Sequence, residues 1–234
     1  MFPTLKNLVL ILVILLIGCK ETDKSEPQNT IQKIEKKETE SKKADKKVSK
    51  DPDSITNTTA VDFLIAYGKQ HKENKVRVKT RYGNITVQLY DDVPLHRANF
   101  IFLTQVGYFN HTCFHRVVPD FIVQGGNSER PQALEFRNKY ENYTIPPEFK
   151  SHRKHNYGAI AAAREWENNP LKKSNPFEFY FIQDKKGAHH LNGEHTVFGE
   201  IIDGFDVLDK LAHVKTGRDE WPLEDVYMEI EVVK

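Results

Sequence analysis

The stretch that decides the fold is Phe114-His115-Arg116-Val117-Val118-Pro119-Asp120-Phe121-Ile122-Val123-Gln124-Gly125-Gly126. It is rich in β-branched and aromatic residues, which favours strands, yet it contains one arginine and one glutamine. Long polar side chains are rarely fully buried without partners. Arg116 and Gln124 therefore either satisfy each other at the rim of a barrel or face a ligand.

Short strand patterns surround this stretch on both sides. Upstream, the alternating segments 76–80 and 85–90 flank Tyr82-Gly83-Asn84, which predicts a β-hairpin. At the other end of the chain, segment 226–233 alternates apolar and polar residues. The other predicted strands are 112–117, 121–124, 158–163, 178–182 and 196–201.

Three segments predict helices. A capping-box variant at 59–62 starts a short N-terminal helix within 55–75, and Pro94 suits the first turn of a second helix. A third helix covers about 206–212. Eight short strands with few helices predict a mainly-β fold: a closed eight-stranded antiparallel barrel, capped by two helices and preceded by the extra N-terminal one.

The first residues have the pattern of an export signal. Ten apolar residues at 8–17 are too few to span a bilayer comfortably. The tetrad Leu16-Ile17-Gly18-Cys19 resembles a bacterial lipobox, in which the signal is cut before the cysteine and that cysteine is lipidated. The resemblance implies a lipoprotein signal peptide at 1–18 and a lipid on Cys19 that holds the protein to a membrane. A plain secretory signal or an uncleaved anchor is the alternative.

Residues 19–54 have the composition of a disordered charged tether. From residue 20 to residue 54 there are ten lysines and nine acids with hardly any large apolar side chains, so no core can form. A lysine-rich helix is the alternative. Beyond residue 54 the chain has 23 basic and 24 acidic residues, a net charge near −1. Nucleic acid is therefore not an expected partner of the domain at 76–234.

The cysteines and histidines predict neither a disulfide nor a metal site in the domain. With Cys19 in the lipobox, Cys113 has no partner and lies in a strand-like run, which predicts a small buried hydrophobe rather than a nucleophile. His189, His190 and His195 cluster in sequence, but no cysteine or carboxylate completes a familiar metal-ligand spacing.

The ordered motifs from about residue 76 to residue 233 resemble a cyclophilin. This family of peptidyl-prolyl cis/trans isomerases has an eight-stranded barrel and two capping helices. The motifs are Tyr82-Gly83-Asn84-Ile85, Asn99-Phe100, Gly107-Tyr108-Phe109, Phe114-His115-Arg116-Val117, Phe121-Ile122-Val123-Gln124-Gly125-Gly126, Phe179-Tyr180-Phe181-Ile182 and Leu191-Asn192-Gly193-Glu194-His195-Thr196-Val197-Phe198-Gly199.

The resemblance implies roles for particular residues. Arg116 matches the catalytic arginine of the family, and Gln124 matches the glutamine beside it. Ala163 and Arg164 stand where the family holds the substrate backbone, and Glu178 stands where it has a glutamine. The walls of the pocket that receives the proline ring are Phe121, Ile122, Tyr180, Leu191 and His195, with Tyr180 replacing the usual phenylalanine.

The chemistry explains why an arginine and an apolar pocket belong together. An X-Pro bond isomerises over a barrier of roughly 18 to 20 kcal/mol, and the twisted transition state leaves a lone pair on the proline nitrogen. An arginine can donate to that lone pair without losing its proton. The pocket holds the ring while the rest of the peptide rotates. No metal or other cofactor is needed.

Several residues depart from the family pattern. Arg164 replaces an asparagine, and it is expected to replace an amide hydrogen bond, to recruit an acidic peptide or to pair with Glu165 or Glu167. Glu178 is expected to neutralise Arg116 or Arg164. The charged segment 128–143 replaces a glycine-rich loop. His190 stands where some members have tryptophan.

The sequence therefore predicts a monomeric isomerase for X-Pro bonds of exported or envelope proteins, anchored by lipid to the bacterial cell envelope. An outer membrane or the cell surface is favoured, because no aspartate follows Cys19. The predicted partners are proline-containing polypeptides, a cyclosporin-type ligand and the membrane. The alternative is a proline-peptide-binding or chaperone module with weak or no isomerase activity, and Arg164 and Glu178 motivate it.

Overall fold

The computed structural model describes residues 55–140 and 143–233. The predicted signal peptide at 1–18, Cys19 and the predicted tether at 19–54 lie outside the described residues. Within the described ranges, none of the helices combines the length and the apolar character needed to cross a membrane.

The strands of the described residues form one antiparallel sheet, with the order β8-β3-β4-β6-β5-β7-β2-β1-β9. Short connections and alternating burial along β1 and β2 bear out the predicted hairpin. The strands are β1 (Lys75–Thr80), β2 (Gly83–Leu89), β3 (Cys113–Val118), β4 (Ile122–Asn127), β5 (Ala159–Ala162), β6 (Phe179–Ile182), β7 (Val197–Asp203), β8 (Val226–Tyr227) and β9 (Glu229–Val232).

The last two strands nearly close the sheet into a barrel. β8 pairs with β3 and β9 pairs with β1, so the two ends of the sheet are joined through Met228. The prediction of eight strands is wrong by one, because the segment predicted as a single strand divides at Met228. The chain leaves one edge of the sheet there and joins the other.

The described residues contain four α-helices, so the prediction of two caps and one extra helix is wrong in number. The three predicted helices are present. The fourth lies in the charged segment 128–143 and buries only Ala133, so it has no apolar stripe that sequence could reveal. The helices are α1 (Ala60–Gln70), α2 (Pro94–Gln105), α3 (Pro131–Lys139) and α4 (Phe205–Ala212), with 3-10 turns at Tyr108–His111 and His189–Leu191.

The N-terminal helix α1 packs on α2. Gly68 of α1 lies against Ala98, where an added Cβ would come within 3.1 Å of the alanine methyl group. Arg97 of α2 donates to the carbonyls of Gly68 and His71 at the end of α1. The predicted capping box is not formed, because the hydroxyl of Thr59 accepts the N–H of Thr56 and makes no cap to the helix.

The main core lies inside the barrel and is rich in aromatic side chains. Phe100 of α2 contacts Phe109 and Phe179, with ring centroids 4.7 and 5.3 Å apart. Cys113 is buried and pairs with no cysteine of the described ranges, and burial raises the pKa of its thiol to about 12. The prediction that Cys113 is a small buried residue is confirmed.

Candidate functional site

Arg116 and Gln124 lie opposite each other in a row that crosses four strands. Arg116 of β3 pairs with Gln124 of β4, Gln124 with Tyr180 of β6, and Tyr180 with Ala161 of β5. Directly opposed residues project from the same face of a sheet. The predicted arginine and glutamine therefore share one face with the predicted pocket residue Tyr180.

A β-bulge at His115 gives Arg116 this face. Phe114 and Arg116 pair with consecutive residues of β4, so His115 is the extra residue of β3. Side chains alternate along a strand, and the extra residue shifts that alternation. As a result Phe114 and Val117 both enter the main core, while the side chain of Arg116 is 37% exposed.

An apolar cluster separate from the main core includes members of this row, and we call it the outer cluster. Of the predicted pocket walls it contains Ile122, Tyr180 and Leu191, with Phe121 packed against it, and it also contains Ala163, which was predicted to lie beside the substrate backbone. Its buried members are Ile122, Ala159, Ala161, Ala163, Tyr180, Ile182, Ala188, Leu191 and Val197, and its partly buried neighbours are Tyr90, Val118 and Phe121. The structure thus brings together residues from distant motifs.

The hydroxyl of Tyr180 has a buried partner. Its oxygen lies 3.2 Å from Nε2 of His155, and Nδ1 of the same ring lies 2.9 Å from Oδ1 of Asn192. The amide oxygen can only accept, so His155 donates from Nδ1 and accepts from Tyr180 at Nε2. Burial lowers the pKa of His155 to about 4, so the ring is neutral at neutral pH. The hydroxyl that Tyr180 adds to the usual phenylalanine is therefore hydrogen-bonded inside the protein.

His195 lies beside the same tyrosine. The two rings meet edge to face, with centroids 5.5 Å apart. Nδ1 of His195 donates to the carbonyl of Ala162 over 3.1 Å, and burial lowers the pKa of the ring. Next to the outer cluster, His190 stacks on Phe121 with ring centroids 5.7 Å apart.

Arg116 forms an ion pair with Glu220, which lies in the loop between α4 and β8. Its Nε donates to Oε2 of Glu220 over 2.6 Å, and the two side chains are 37% and 43% exposed. Backbone contact holds this loop on β3, since the carbonyl of Glu220 accepts the N–H of Val117 over 2.9 Å. Among the described residues, no hydrogen bond engages the terminal nitrogens of Arg116. The possibility that Arg116 and Gln124 satisfy each other is not realised.

Glu178 is held by a different set of groups. It accepts from Nη2 of Arg137 over 2.8 Å and from Nε2 of Gln124 over 3.1 Å, and Nε2 of His115 lies 3.5 Å away. Burial alone would raise the pKa of Glu178, but His115 and Arg137 lower it to about 2. The expectation that Glu178 neutralises Arg116 or Arg164 is wrong, because α3 supplies Arg137.

Each nitrogen of the Arg164 guanidinium also donates to the protein. Its side chain is 4% exposed and donates from Nε and Nη2 to the carbonyl and the carboxylate of Glu194, over 2.8 and 2.9 Å. Nη1 donates to the carbonyl of Glu165 over 3.0 Å. The carboxylate that pairs with Arg164 is thus that of Glu194, and the expectation of an ion pair with Glu165 or Glu167 is wrong.

Four residues near the predicted site were missed by the sequence reasoning: Arg137, His155, Trp166 and Glu220. All four lie outside the motifs and reach the site only through tertiary contacts. Trp166 alone had a local indication, since it is a large aromatic residue within a charged segment directly after Arg164. In the part of the chain that the structure describes, no group of three or more His, Cys, Asp or Glu could hold a metal ion.

Comparisons with known proteins place these features in a family. The family described as cyclophilin type peptidyl-prolyl cis-trans isomerase/CLD matches residues 75–232. A peptidyl-prolyl cis-trans isomerase-like 2 of Rhizopus delemar is 33% identical over 68% of this chain and 29% of that protein. A peptidyl-prolyl cis-trans isomerase of Acinetobacter baylyi is 33% identical over 60% of this chain and 73% of that protein.

A solved structure supports the fold. The cyclophilin type peptidyl-prolyl cis-trans isomerase of Cryptosporidium parvum, crystallised in the presence of the dipeptide Ala-Pro, matches with a TM-score of 0.58 and 24% identity. The match covers 68% of this chain and 99% of that one. The chain nevertheless spans only 40%, 29% and 26% of the length of three curated relatives that it matches.

Proposed function

The chain belongs to the cyclophilin-type peptidyl-prolyl cis-trans isomerase family, and on this premise we propose that it isomerises X-Pro bonds at the outer cluster. The observation that carries the proposal is the row from Arg116 through Gln124 and Tyr180 to Ala161. It sets a half-exposed cation on the same sheet face as members of a separate apolar cluster. An apolar surface that can take a proline ring thus lies beside Arg116, a hydrogen-bond donor that keeps its charge.

Arg116 acts in this proposal by donation and not by proton transfer. Rotation about the X-Pro bond removes the amide resonance and leaves a lone pair on the proline nitrogen. A terminal nitrogen of Arg116 donates to that lone pair, while the guanidinium keeps its charge. The donor favours the twisted form over both planar forms, so it lowers the barrier.

The outer cluster supplies the other half of the mechanism. Phe121, Ile122, Tyr180, Leu191 and His195 are the proposed contacts of the proline ring, with Ala163 and Arg164 beside the substrate backbone. Tyr180 and His195 are fixed by hydrogen bonds to buried groups, so these two walls are formed before substrate binds. A pre-formed pocket reduces the entropy lost on binding and excludes water from the rotating amide.

An exchange-NMR assay of an Ala-Pro peptide tests the proposal. R116A is expected to lower kcat/KM by roughly 10²- to 10³-fold, because a donor to the developing lone pair is lost. The matched control is R77A, which removes a similarly exposed arginine from an ion pair with Glu231 on β1 and β9. R77A is expected to keep the wild-type rate. Equal, near-background rates for wild type and R116A would contradict the enzymatic function.

The ion pair between Arg116 and Glu220 favours a second candidate, a module that binds proline-containing segments or acts as a chaperone with weak or no isomerase activity. An arginine held by a carboxylate is less available to a substrate. The same assay separates the two candidates when it is combined with calorimetry. Peptide binding without acceleration in the wild type supports the binding module.

We propose that the protein acts on exported or envelope proteins from a lipid anchor at the bacterial cell envelope, in an outer membrane or at the cell surface. The lipobox-like tetrad ending at Cys19 supports this location. Labelling cells with a palmitate analogue and fractionating their membranes tests it. C19A is expected to lose both the label and the membrane association. Unlabelled wild type would contradict the anchor.

We also propose that the chain is a monomer and that the outer cluster binds a cyclosporin-type ligand, because such a ligand presents apolar surface to the same walls. Sedimentation should give the mass of one chain. Cyclosporin should compete with a proline peptide for the wild type. Binding that leaves the peptide affinity unchanged would contradict a shared site.

A further inference from the structure

An exposed indole extends the aromatic wall of the proposed site. Trp166 meets His195 edge to face, with ring centroids 5.2 Å apart, and His195 meets Tyr180 in the same way. Trp166 is 61% exposed, whereas the other two rings are buried. The three rings therefore form a continuous aromatic path from the outer cluster to the surface.

Trp166 is oriented by a buried cation. The guanidinium of Arg164 lies over the indole, 4.1 Å from the ring centre, and the side chain of Arg164 is 4% exposed. Glu194 binds Arg164 on one side and Lys172 on the other, with Lys172 Nζ 2.6 Å from its carboxylate. A stack built on a fixed cation leaves the indole little freedom to lose on binding.

Arg164 and Lys172 are both paired with the carboxylate of Glu194. Nε, Nη1 and Nη2 of Arg164 all donate to protein acceptors, so an acidic peptide would find no free fork on this side chain. The exposed indole surface offers mainly apolar contact. Covering such a surface with an apolar group is favourable in proportion to the area removed from water.

We infer that Trp166 is a specificity-determining residue that binds an apolar or aromatic side chain flanking the proline of the substrate. This inference rests on the proposed function, because it takes the outer cluster as the place of the proline ring. Trp166 contacts His195, which is a proposed contact of the proline ring, so the indole is within reach of a residue that flanks the proline. The protein should therefore prefer large apolar neighbours of proline to glycine.

Exchange NMR on two peptide series tests the inference. The series are Ala-Xaa-Pro-Ala and Ala-Ala-Pro-Xaa, with glycine or leucine at Xaa. In the wild type, leucine should be preferred in at least one series. W166A should reduce that preference roughly tenfold, as expected for losing one hydrophobic contact, and W166F should keep most of it.

L171A is the matched control. Leu171 is 65% exposed on the same loop, so its removal deletes a comparable apolar side chain away from the aromatic path. L171A should leave both the rate and the preference unchanged. Two outcomes overturn the inference while leaving the isomerase activity in place. In the first, L171A loses as much preference as W166A; in the second, W166A keeps the wild-type preference in both series. An inactive wild type contradicts the proposed function instead.

Fluorescence gives a second test that needs no turnover. The sequence has two tryptophans, so W221F leaves Trp166 as the sole one. A saturating leucine-containing peptide should shift the emission of W221F to shorter wavelength, because the indole is covered. The emission of W221F with the matching glycine peptide at saturation serves as the comparison, and it should shift less. A W221F spectrum that does not move at saturation overturns the inference.

Discussion

In the proposed mechanism, the guanidinium of Arg116 binds the protein through one nitrogen and the substrate through another. Its Nε is held by Glu220, and its terminal nitrogens are not engaged by any described residue. A guanidinium is planar, so a bond to Nε sets the direction of both terminal nitrogens. In the proposed mechanism Glu220 is therefore a positioning residue: it lowers the net charge near the substrate but orients the two terminal nitrogens.

The first prediction concerns this positioning. E220A is expected to lower kcat by about tenfold with a smaller change in KM, because small displacements of a catalytic donor are costly. E220D, which keeps the charge on a shorter side chain, should recover part of the rate. Steady-state kinetics of the three proteins on an Ala-Pro peptide give the kcat and KM values.

E231A controls for the general loss of a surface ion pair. Glu231 is 37% exposed and accepts from Arg77 and Lys79 on β1, which contributes no residue to the outer cluster, so its removal should leave kcat unchanged. A rate increase in E220A would mean that Glu220 restrains Arg116 and does not orient it. That outcome would favour the binding-module function for the wild type.

The buried ring of His155 predicts a pH-dependent stability. Its pKa falls from 6.5 to about 4 in the folded protein. Above pH 6.5 the ring is neutral in both states. Below that value the unfolded chain takes up a proton first, so the free energy of unfolding decreases as pH falls toward 4. The loss between about pH 7 and pH 5 is on the order of 2 kcal/mol.

Urea unfolding of wild type and H155Q at the two pH values measures this contribution. H155Q cannot titrate at this position, and its amide can still bond both Tyr180 and Asn192. The difference between wild type and variant should therefore be larger at pH 7 than at pH 5. A difference that does not change with pH contradicts the assigned protonation of His155.

At the scale of elements, Arg137 links α3 to the barrel through an ion pair with Glu178 and hydrogen bonds to Tyr108 and Gly126. Arg137 and Glu178 are 19% and 15% exposed, so the ion pair is largely removed from water. R137M is expected to lower the free energy of unfolding by roughly 3 kcal/mol, because it leaves the carboxylate buried without its cation. Urea unfolding of the purified variant measures the loss.

A double-mutant cycle isolates the pair. R137M/E178Q replaces the carboxylate by the glutamine that the family usually has, and this variant should recover most of the lost stability. Methionine at 137 and glutamine at 178 are both uncharged, so the double variant buries no unpaired charge. If the double variant is as unstable as the two single changes added together, the interaction of Arg137 with Glu178 does not hold α3 in place.

Elements with strong periodic patterns could be predicted from the sequence, and elements set by tertiary contact could not. α2 and the hairpin of β1 and β2 follow from local pattern. The division of the last strand at Met228 does not, because alternation continues through the residue while its pairing partner changes. Similarly, Arg116 is recognisable as a polar residue in an apolar strand. Its partner Glu220 lies 104 positions away along the chain, so no local pattern predicts the ion pair.

At the scale of the whole domain, the barrel has two separate apolar regions, the main core and the outer cluster. The main core fills the inside, and the outer cluster uses alternate residues of β4, β5 and β6 on the other face. Closure through β8 and β9 fixes β3 at its edge of the sheet, and with it Arg116. The members of the outer cluster are buried as well, so this cluster stabilises the fold in addition to forming the proposed contact with the proline ring.

The final prediction concerns the chain ahead of the domain. Residues 21–50 contain too few apolar side chains to build a core, so they should add little to the stability of residues 55–233. Starting from a soluble protein that begins at residue 20, deletion of 21–50 should change Tm by no more than about 2 °C and leave the rate on an Ala-Pro peptide unchanged. As a comparison, deletion of 55–70 removes α1, whose Leu64 is buried in the main core, and should lower Tm strongly. A large loss of Tm on deleting 21–50 would contradict the prediction and show that this segment packs on the domain.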